Sequence, residues 1–447
     1  MEETVSKFSK PIKSTEAAKS VKGLIKEWYG RAHLAKSRGR KVAWAMVGVP
    51  TELLAVFDID AMWPENYGTA CAAKQMATHF MSVAEEEGYP VDICSYARNG
   101  LGYACRCREL GAIPPEAPHA GLAVPDMLLG ANFLCDVRLK WFQTLATRFL
   151  DVPTHILEID APPYGINMND QGIREHYISL YLRSLKDLVS FLEQETGKKL
   201  DKAKVSQALM NTQKIFQLLG KICNLRRAVP SPMPSEDEFA CMILKEFMFG
   251  EKIAVDFYEC LYKEVKNRVS NGIGVIADEK YRLLWIGLPP WFNMGLFNYL
   301  ESLGAVSVME TTYYIGDPVE IDCSKPLEAL AERTWLKAVE IHRLGAEVVP
   351  ENAVVQGGLG SVPLGLVSRF IEEYKINGVI LHTTASCRAI SFGQRHVSYE
   401  LTKLGVPCLL LESDMADPRA WSDIHIKAQV DAFIKVLSDR IETRAGG

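Results

Sequence analysis

Short apolar runs alternate with longer amphipathic stretches in two separate blocks of this 447-residue chain. In the first block the apolar runs cover residues 42–48, 90–94, 125–132 and 155–160. In the second block they cover residues 281–287, 305–309, 378–382 and 407–412. Apolar runs of this length that alternate with helical stretches are typical of parallel sheets with crossover helices. The pattern therefore predicts an α/β fold with two Rossmann-like parallel-sheet lobes.

The stretches between and around these runs predict the remaining organisation. Helices are expected at residues 69–87, 137–149, 325–345, 392–404 and 423–440. Between the two blocks, long helical patterns with hardly any strand signal predict a helical segment, in which Asp201 is an N-cap. Prolines near 226–236 predict a loop inside that segment. The predicted division is an N-terminal helical arm at 1–40, a first α/β domain at 41–168, the helical segment at 169–272, and a second α/β domain at 273–447.

Composition and charge exclude several classes of protein. The chain is 48% hydrophobic and carries a net charge of −5, so it has no bulk attraction for nucleic acid or anionic membranes. Its apolar runs are too short to span a bilayer, and its N-terminal residues lack the apolar stretch of a signal peptide. We therefore expect a cytoplasmic protein that binds neither nucleic acid nor membrane.

Eleven cysteines in a reducing compartment are expected to be free thiols or metal ligands rather than disulfides. Cys223, Cys260 and Cys408 lie in apolar patterns, which predicts that they pack in the core. Cys105 and Cys107 are separated by one residue, a spacing typical of neither zinc knuckles nor ferredoxins.

Three other cysteines, Cys94, Cys135 and Cys387, follow predicted strands and are each followed by a basic residue. Loops at the carboxyl ends of parallel strands carry ligand-binding groups, so a cleft between the lobes is the predicted meeting point. Three thiolates are one short of closing a four-iron cluster, which would leave one iron open. The same positions also suit three unrelated buried cysteines. Basic residues that would lower the thiolate pKa values or offset cluster charge are Arg98, Lys140 and Arg388.

Seven segments, taken in order, resemble one enzyme superfamily. They include Leu-Cys-Asp-Val-Arg-Leu-Lys-Trp and His-Thr-Thr-Ala-Ser-Cys-Arg-Ala-Ile-Ser-Phe-Gly-Gln, and they cover residues 49–54, 63–66, 94–98, 134–141, 285–291, 382–394 and 405–419. Together they resemble the 2-hydroxyacyl-CoA dehydratase / class I benzoyl-CoA reductase superfamily, over about residues 40–440. The Trp-Pro-Glu-Asn stretch and the Ser-Cys-Arg form of the last cysteine segment are more similar to a benzoyl-CoA reductase subunit.

The resemblance implies a subunit that binds a [4Fe-4S] cluster through Cys94, Cys135 and Cys387. It implies an oxidoreductase that takes low-potential electrons from reduced ferredoxin and reduces the ring of an aromatic acyl-CoA to a cyclohexadiene-carboxyl-CoA in anaerobic aromatic degradation. The implied partners are a homologous cluster-bearing subunit and an ATP-hydrolysing iron–sulfur activator. The alternative within the superfamily is a 2-hydroxyacyl-CoA dehydratase subunit, which uses ketyl-radical chemistry without net reduction.

Other residues have less specific signals. Candidate proton donors or carbonyl partners are Glu65, His382 and Glu412, and Trp63, Trp285 and Trp291 either line a flat pocket or belong to the core. The glycine-rich stretch at 357–365 does not match a dinucleotide fingerprint, so ATP hydrolysis is assigned to a partner. An alternative of another class is a metal-free, two-lobed α/β module that binds a small molecule or a partner protein.

Overall fold

The computed structural model describes residues 11–163, 166–346 and 364–445. The strands are β1 Lys41–Ala45, β2 Ile59–Met62, β3 Met127–Ala131, β4 Thr154–Leu157, β5 Tyr281–Ile286, β6 Ala305–Glu310, β7 Gly378–Thr384 and β8 Cys408–Ser413. The helices are α1 Glu16–His33, α2 Thr51–Val56, α3 Pro64–Ala73, α4 Ala77–Glu86, α5 Ser95–Leu110, α6 Asp136–Arg148, α7 Gln171–Thr196, α8 Lys202–Arg226, α9 Ser235–Phe247, α10 Lys252–Ser270, α11 Gly295–Ser302, α12 Pro326–Ala346, α13 Leu364–Glu373, α14 Arg388–Ser391, α15 Gln394–Lys403 and α16 Asp423–Ala445.

Two four-stranded sheets share one topology. The first has the strand order β2-β1-β3-β4 and the second has the order β6-β5-β7-β8. Every neighbouring pair of strands is parallel. β3, β5 and β6 are buried along their whole length, as expected of parallel strands with helices on both faces. The predicted α/β fold with two parallel-sheet lobes is confirmed, and the exact domain boundaries stay predictions.

The first lobe differs from its prediction in two places. The predicted strand at 90–94 is wrong: these residues form a turn, and Val91 is 65% exposed, whereas a central strand would bury its apolar side chains. The edge strand that pairs with β1 is instead β2, a four-residue strand that contains the buried Asp60. The predicted helix at 69–87 is two helices, α3 and α4, and Gln75 between them has a φ of 60°.

The helical segment between the sheets consists of α7 to α10. Asp201 caps α8 as predicted, because its side chain accepts hydrogen bonds from the N–H groups of Ala203 and Lys204. The proline-containing loop also forms as predicted, between the end of α8 and the start of α9. The start of α8 therefore follows a local capping rule that the sequence makes visible.

The N-terminal arm packs against the rest of the chain through α1. The Asp237 carboxylate on α9 accepts hydrogen bonds from the Thr15 hydroxyl and N–H, both at 2.7 Å, and from the Ser14 N–H at 3.1 Å. The Glu264 carboxylate on α10 accepts from the N–H groups of Glu16 and Ala17. Two acidic side chains of the helical segment thus satisfy N–H groups at the start of α1, which otherwise lack partners.

No described helix has the length and apolar character needed to cross a membrane. The glycine-rich stretch at 357–365 lies mostly outside the described residues, and only its last two residues belong to α13.

Replacement of Gly102 by alanine is expected to destabilise the first lobe. A Cβ atom at this position of α5 would lie 1.7 Å from the Phe80 carbonyl oxygen of α4. That neighbour is helix backbone, so the helices must separate, and we expect a loss of about 2–3 kcal/mol in the free energy of unfolding. Urea denaturation measures it. Gly23→Ala on α1 is the control, because its Cβ would meet no atom within 4 Å; equal stabilities for the two variants would contradict the prediction.

Candidate active site

A cavity of about 450 Å³ is lined by residues from both lobes and from the helical segment. Its walls include residues that follow strands within a few positions: Val47 after β1, Cys135 after β3, Leu288 after β5, Thr311 after β6 and Cys387 after β7. The carboxyl ends of parallel strands are where α/β folds bind ligands. The cavity therefore lies at the edge of both sheets where the sequence pattern predicts a site.

Cys94, Cys135 and Cys387 all line this cavity, and each is the residue directly before a helix. Cys94 is the N-cap of α5, Cys135 of α6 and Cys387 of α14. The first N–H groups of a helix have no partner within the helix, so they favour negative charge on the preceding residue. The prediction that Cys94 ends a strand is wrong, because it ends the turn at 87–94, yet α5 still delivers it to the cavity.

Hydrogen bonds between the lobes join the neighbours of these cysteines. The Ser95 N–H, next to Cys94, donates to the Ser386 hydroxyl, next to Cys387, at 3.1 Å. That hydroxyl donates to the Asp414 carboxylate at 2.5 Å. Both linking serines are buried, so the two cysteine-bearing segments are held together across the interface of the lobes.

A second link joins the segments that carry Cys135 and Cys387. The Arg388 guanidinium donates to the Asp136 carboxylate at 3.1 Å. Both side chains are more than two-thirds exposed, so this ion pair contributes little to stability. Arg388 is not among the described residues that line the cavity, and its charge is shared with Asp136.

The ionisation of the thiols reflects their burial and their proximity. Burial raises the pKa of Cys94 well above its usual range, and the thiolates of Cys387 and Cys135 raise it further. Burial raises the pKa of Cys387 to about 11, although the Ile390 N–H and the Arg138 cation oppose the shift. The pKa values of Cys94 and Cys387 thus depend on their burial and on the neighbouring cysteines. Metal binding to Cys94 and Cys387 would release their protons.

Arg138 is a cation that lines this cavity, and the sequence patterns did not single it out. Its guanidinium donates to Glu65 at 2.6 Å, and the other Glu65 oxygen accepts the Val47 N–H at 3.0 Å. Burial alone would lower the pKa of Arg138, but Glu65 and the thiolate of Cys135 raise it above its usual value. Arg138 lies three residues after Cys135 on α6, so it shares a helix face with the N-cap. The spacing of three residues between Cys135 and Arg138 could therefore have identified Arg138 from the sequence.

The predicted residue Lys140 is exposed on α6. Arg98 is buried on α5, but its guanidinium donates to Glu85 at 2.6 Å, to Asp417 at 3.2 Å and to the Ile93 carbonyl at 3.1 Å. Arg98 therefore fixes the turn before the first cysteine and is not among the described residues that line the cavity.

Of the predicted proton donors, Glu65 lines the cavity and the other two do not. His382 is fully buried in β7, where its ring pairs with the Leu288 carbonyl and, at 2.6 Å, with the Ser413 hydroxyl. Burial lowers the pKa of His382, so it stays neutral behind the Leu288 wall. Glu412 is 59% exposed and pairs with Arg395. Alternation along β8 turns Glu412 away from the core, which corrects its assignment to the site.

Glu246, near the end of α9, is a second carboxyl group in the cavity. Burial raises the pKa of Glu246 to about 7, although the cations of Lys245 and Arg138 oppose the shift. A carboxyl group with this pKa exchanges its proton at neutral pH. The sequence offered no signal for it, because it lies in the helical segment and follows no strand.

Aromatic side chains form much of the cavity wall. They belong to Tyr96, Phe133, Trp141, Phe247 and Tyr313. The Nε1 of Trp141 and the Oγ1 of Thr311 are buried without a hydrogen-bond partner among the described residues. Buried polar atoms in native proteins usually have partners, so these two atoms are exceptions among the described residues.

The three predicted tryptophans lie behind that wall. Trp63 and Trp285 are fully buried, and Trp291 donates from Nε1 to the Tyr96 hydroxyl at 2.5 Å. None of them is among the described residues that line the cavity. Trp291 therefore supports the wall residue Tyr96. It belongs to the core, which was one of the two alternatives predicted for it.

None of the eleven cysteines, all of which lie in the described residues, forms a disulfide. Cys260 is exposed on α10, which corrects its assignment to the core. Among the described residues, no three His, Cys, Asp or Glu side chains lie close enough to bind a single metal ion. Thiolate is nevertheless the donor that iron–sulfur groups require, and the cavity brings three thiols together.

Comparison with known proteins defines the class to which this fold and cavity belong. A family model described as 2-hydroxyglutaryl-CoA dehydratase, D-component, matches residues 46–437. The chain therefore belongs to this family of acyl-CoA enzymes.

Individual relatives match nearly end to end. The (R)-2-hydroxyisocaproyl-CoA dehydratase alpha subunit of Clostridioides difficile is 25% identical over 96% of this chain and 98% of its own length. The lactoyl-CoA dehydratase alpha subunit of Anaerotignum propionicum is 26% identical over 91% of this chain and 93% of its own. A benzoyl-CoA reductase subunit of Thauera aromatica is 27% identical over 96% of both chains. Both activities named by the sequence resemblance thus occur among its relatives.

Proposed function

We propose that this chain is the cluster-bearing subunit of an enzyme that acts on acyl-CoA thioesters. Cys94, Cys135 and Cys387 would hold a [4Fe-4S] cluster, which supplies electrons one at a time when bound. The observation that carries the proposal is the meeting of these three thiols at one cavity lined from both lobes. Three thiolates leave one iron without a cysteine ligand, and such an open position suits a substrate or a small ligand.

The chain supplies the electrostatic surroundings of that site. Arg138 places a permanent cation beside Cys135 and Cys387, which offsets negative charge on the thiolates. Glu65 holds Arg138 in place and is itself fixed by the Val47 N–H. The apolar and aromatic walls would limit the water around a bound molecule, so side chains of the cavity would hand protons to it.

The first candidate substrate is an aromatic acyl-CoA, and the reaction is of the benzoyl-CoA reductase type. The aromatic walls of the cavity support it, because flat rings pack favourably against Trp, Tyr and Phe. Reduction of one ring double bond consumes two electrons and two protons and gives a cyclohexadiene-carboxyl-CoA.

The activity needs other components. We propose a homologous cluster-bearing subunit as partner, since the relatives are named as subunits of larger enzymes. An ATP-hydrolysing iron–sulfur activator, supplied by reduced ferredoxin, would provide the electrons. We assign the complex to the cytoplasm, where thiols stay reduced.

The second candidate is a 2-hydroxyacyl-CoA dehydratase subunit. It is favoured by the names of the relatives from Clostridioides difficile and Anaerotignum propionicum, which are dehydratase alpha subunits. Dehydration removes a hydroxide and a proton from the acyl chain without net reduction, so the electron is recovered in each turnover.

Electron consumption separates the two candidates. We expect the assembled complex to take two electrons from reduced ferredoxin for each aromatic acyl-CoA that it reduces. A dehydratase needs ferredoxin in catalytic amounts only, because its electron returns. Anaerobic assays with an aromatic acyl-CoA and with a 2-hydroxyacyl-CoA, each with ferredoxin oxidation followed optically, measure the ratio.

If product forms without stoichiometric oxidation of ferredoxin, the dehydratase function is favoured over the reductase function. Anaerobically purified protein that is colourless and contains no iron or acid-labile sulfide would instead favour a metal-free α/β module.

A further inference from the structure

Three carboxyl groups line the cavity, and two of them are paired. Glu65 binds Arg138 and the Val47 N–H. Glu340 on α12 pairs with Lys337 at 3.2 Å. Glu246 has neither a hydrogen bond nor an ion pair with any residue that the structure describes, although its side chain faces the same space. It is therefore the carboxyl group of this cavity that is able to change its protonation without breaking an existing contact.

The charges around Glu246 come from several elements, and they partly cancel. On its own helix, Lys245 is paired with Glu238, both buried. Arg138 of α6 is paired with Glu65 of α3. Because both nearby cations are already paired, burial dominates and the pKa of Glu246 is raised to about 7. The tyrosines that face it are Tyr313, after β6, and Tyr258 of α10.

We infer that Glu246 is the general acid–base residue that exchanges protons with the acyl group bound in the cavity. The inference rests on the proposed function, since it requires an acyl-CoA substrate there. The carboxyl group comes from the helical segment, whereas the three thiols come from the two lobes, so electron delivery and proton delivery belong to different parts of the chain.

In the proposed step, protonated Glu246 gives its Oε proton to a ring carbon of the reduced aromatic acyl group, and a C–H bond forms. The carboxylate then regains a proton from water. Two electrons from reduced ferredoxin and two protons, taken up in successive steps, convert one ring double bond into two C–H bonds. At least one of these protons passes through Glu246.

Glu246→Gln tests the role, because glutamine keeps the shape but holds no exchangeable acid proton. With the complete enzyme and an aromatic acyl-CoA, we expect kcat to fall about 100-fold or more. The inflection of the wild-type rate near neutral pH should disappear, while iron content and the electron paramagnetic resonance signal stay unchanged. Glu246→Asp keeps a carboxyl group on a shorter side chain, and we expect it to keep an inflection and part of the rate.

A readout without turnover is the infrared carboxyl band of the isolated chain. A C=O stretch that titrates near pH 7 should vanish in Glu246→Gln and persist in Glu236→Gln. Glu236 is the matched control, because it is buried on the same helix but is not among the described residues that line the cavity.

Failure of the acid–base role of Glu246 and failure of the proposed function give different results. An active complex whose Glu246→Gln variant keeps the wild-type rate and pH profile would overturn the acid–base role alone. A fully loaded wild-type complex that converts neither an aromatic nor a 2-hydroxyacyl-CoA thioester would overturn the proposed function, and this inference with it.

Discussion

Serine in place of Cys94, Cys135 or Cys387 is expected to remove most of the iron from the anaerobically purified protein. Each thiol lines the same cavity and precedes a helix, so each variant would remove one of the three proposed ligands. Serine keeps the size of the side chain but binds iron–sulfur groups poorly, since these require thiolate. Iron and acid-labile sulfide per chain, with the visible absorption, measure the loss.

The controls are Cys223→Ser and Cys260→Ser, which change thiols on α8 and α10 that are not among the described residues lining this cavity. Both should keep the iron content of the wild type. Equal iron in all five variants would reject the three cysteines as ligands, and loss in only one or two of the three would redefine the ligand set.

Most strands of the two sheets were predictable because they contain short apolar runs. β5 contains the run 283–286 and β7 the run 379–381, and such runs are visible without any knowledge of their neighbours. β2 was not predictable in this way. It has four residues and contains Asp60, which is buried only because Arg31 and Arg40 of distant segments pair with it.

From the sequence, the only residues of the site that could be predicted reliably were those that follow strands. Cys135 and Cys387 follow β3 and β7, which occupy the same place in the two strand orders, so one rule finds both. Cys94 reaches the cavity through α5 and its packing on α4, and Glu246 reaches it through α9. Their positions depend on how helices pack, which residue patterns do not specify.

That division has a physical consequence for the cavity. The repeated sheets supply equivalent thiols on opposite lobes, while the helices between them supply the titratable carboxyl group. The stability of the contact between the helical segment and the second lobe should therefore influence the site.

Replacement of Glu310 by glutamine is expected to cause the largest loss of stability among single changes at that contact. Its carboxylate accepts two hydrogen bonds, at 2.9 and 2.6 Å, from Arg226 of α8, and both side chains are at most 3% exposed. Burial alone would lower the pKa of Arg226, but Glu310 raises it above its usual value, so the guanidinium stays charged. Glutamine would leave that charge without its counter-ion, at a cost of about 3–5 kcal/mol in the free energy of unfolding.

Urea denaturation of a short series of variants separates the lost pairing from other effects. Glu373→Gln removes the carboxylate that pairs with the neighbouring Arg227, whose side chain is 42% exposed, and it should change stability little. The double variant Arg226→Met with Glu310→Leu removes both charges, so it should recover most of the stability lost in Glu310→Gln. If Glu310→Gln costs no more than Glu373→Gln, the buried pair does not secure α8 to β6. The wall residues Thr311 to Gly316, which follow β6, must then be held by their own packing.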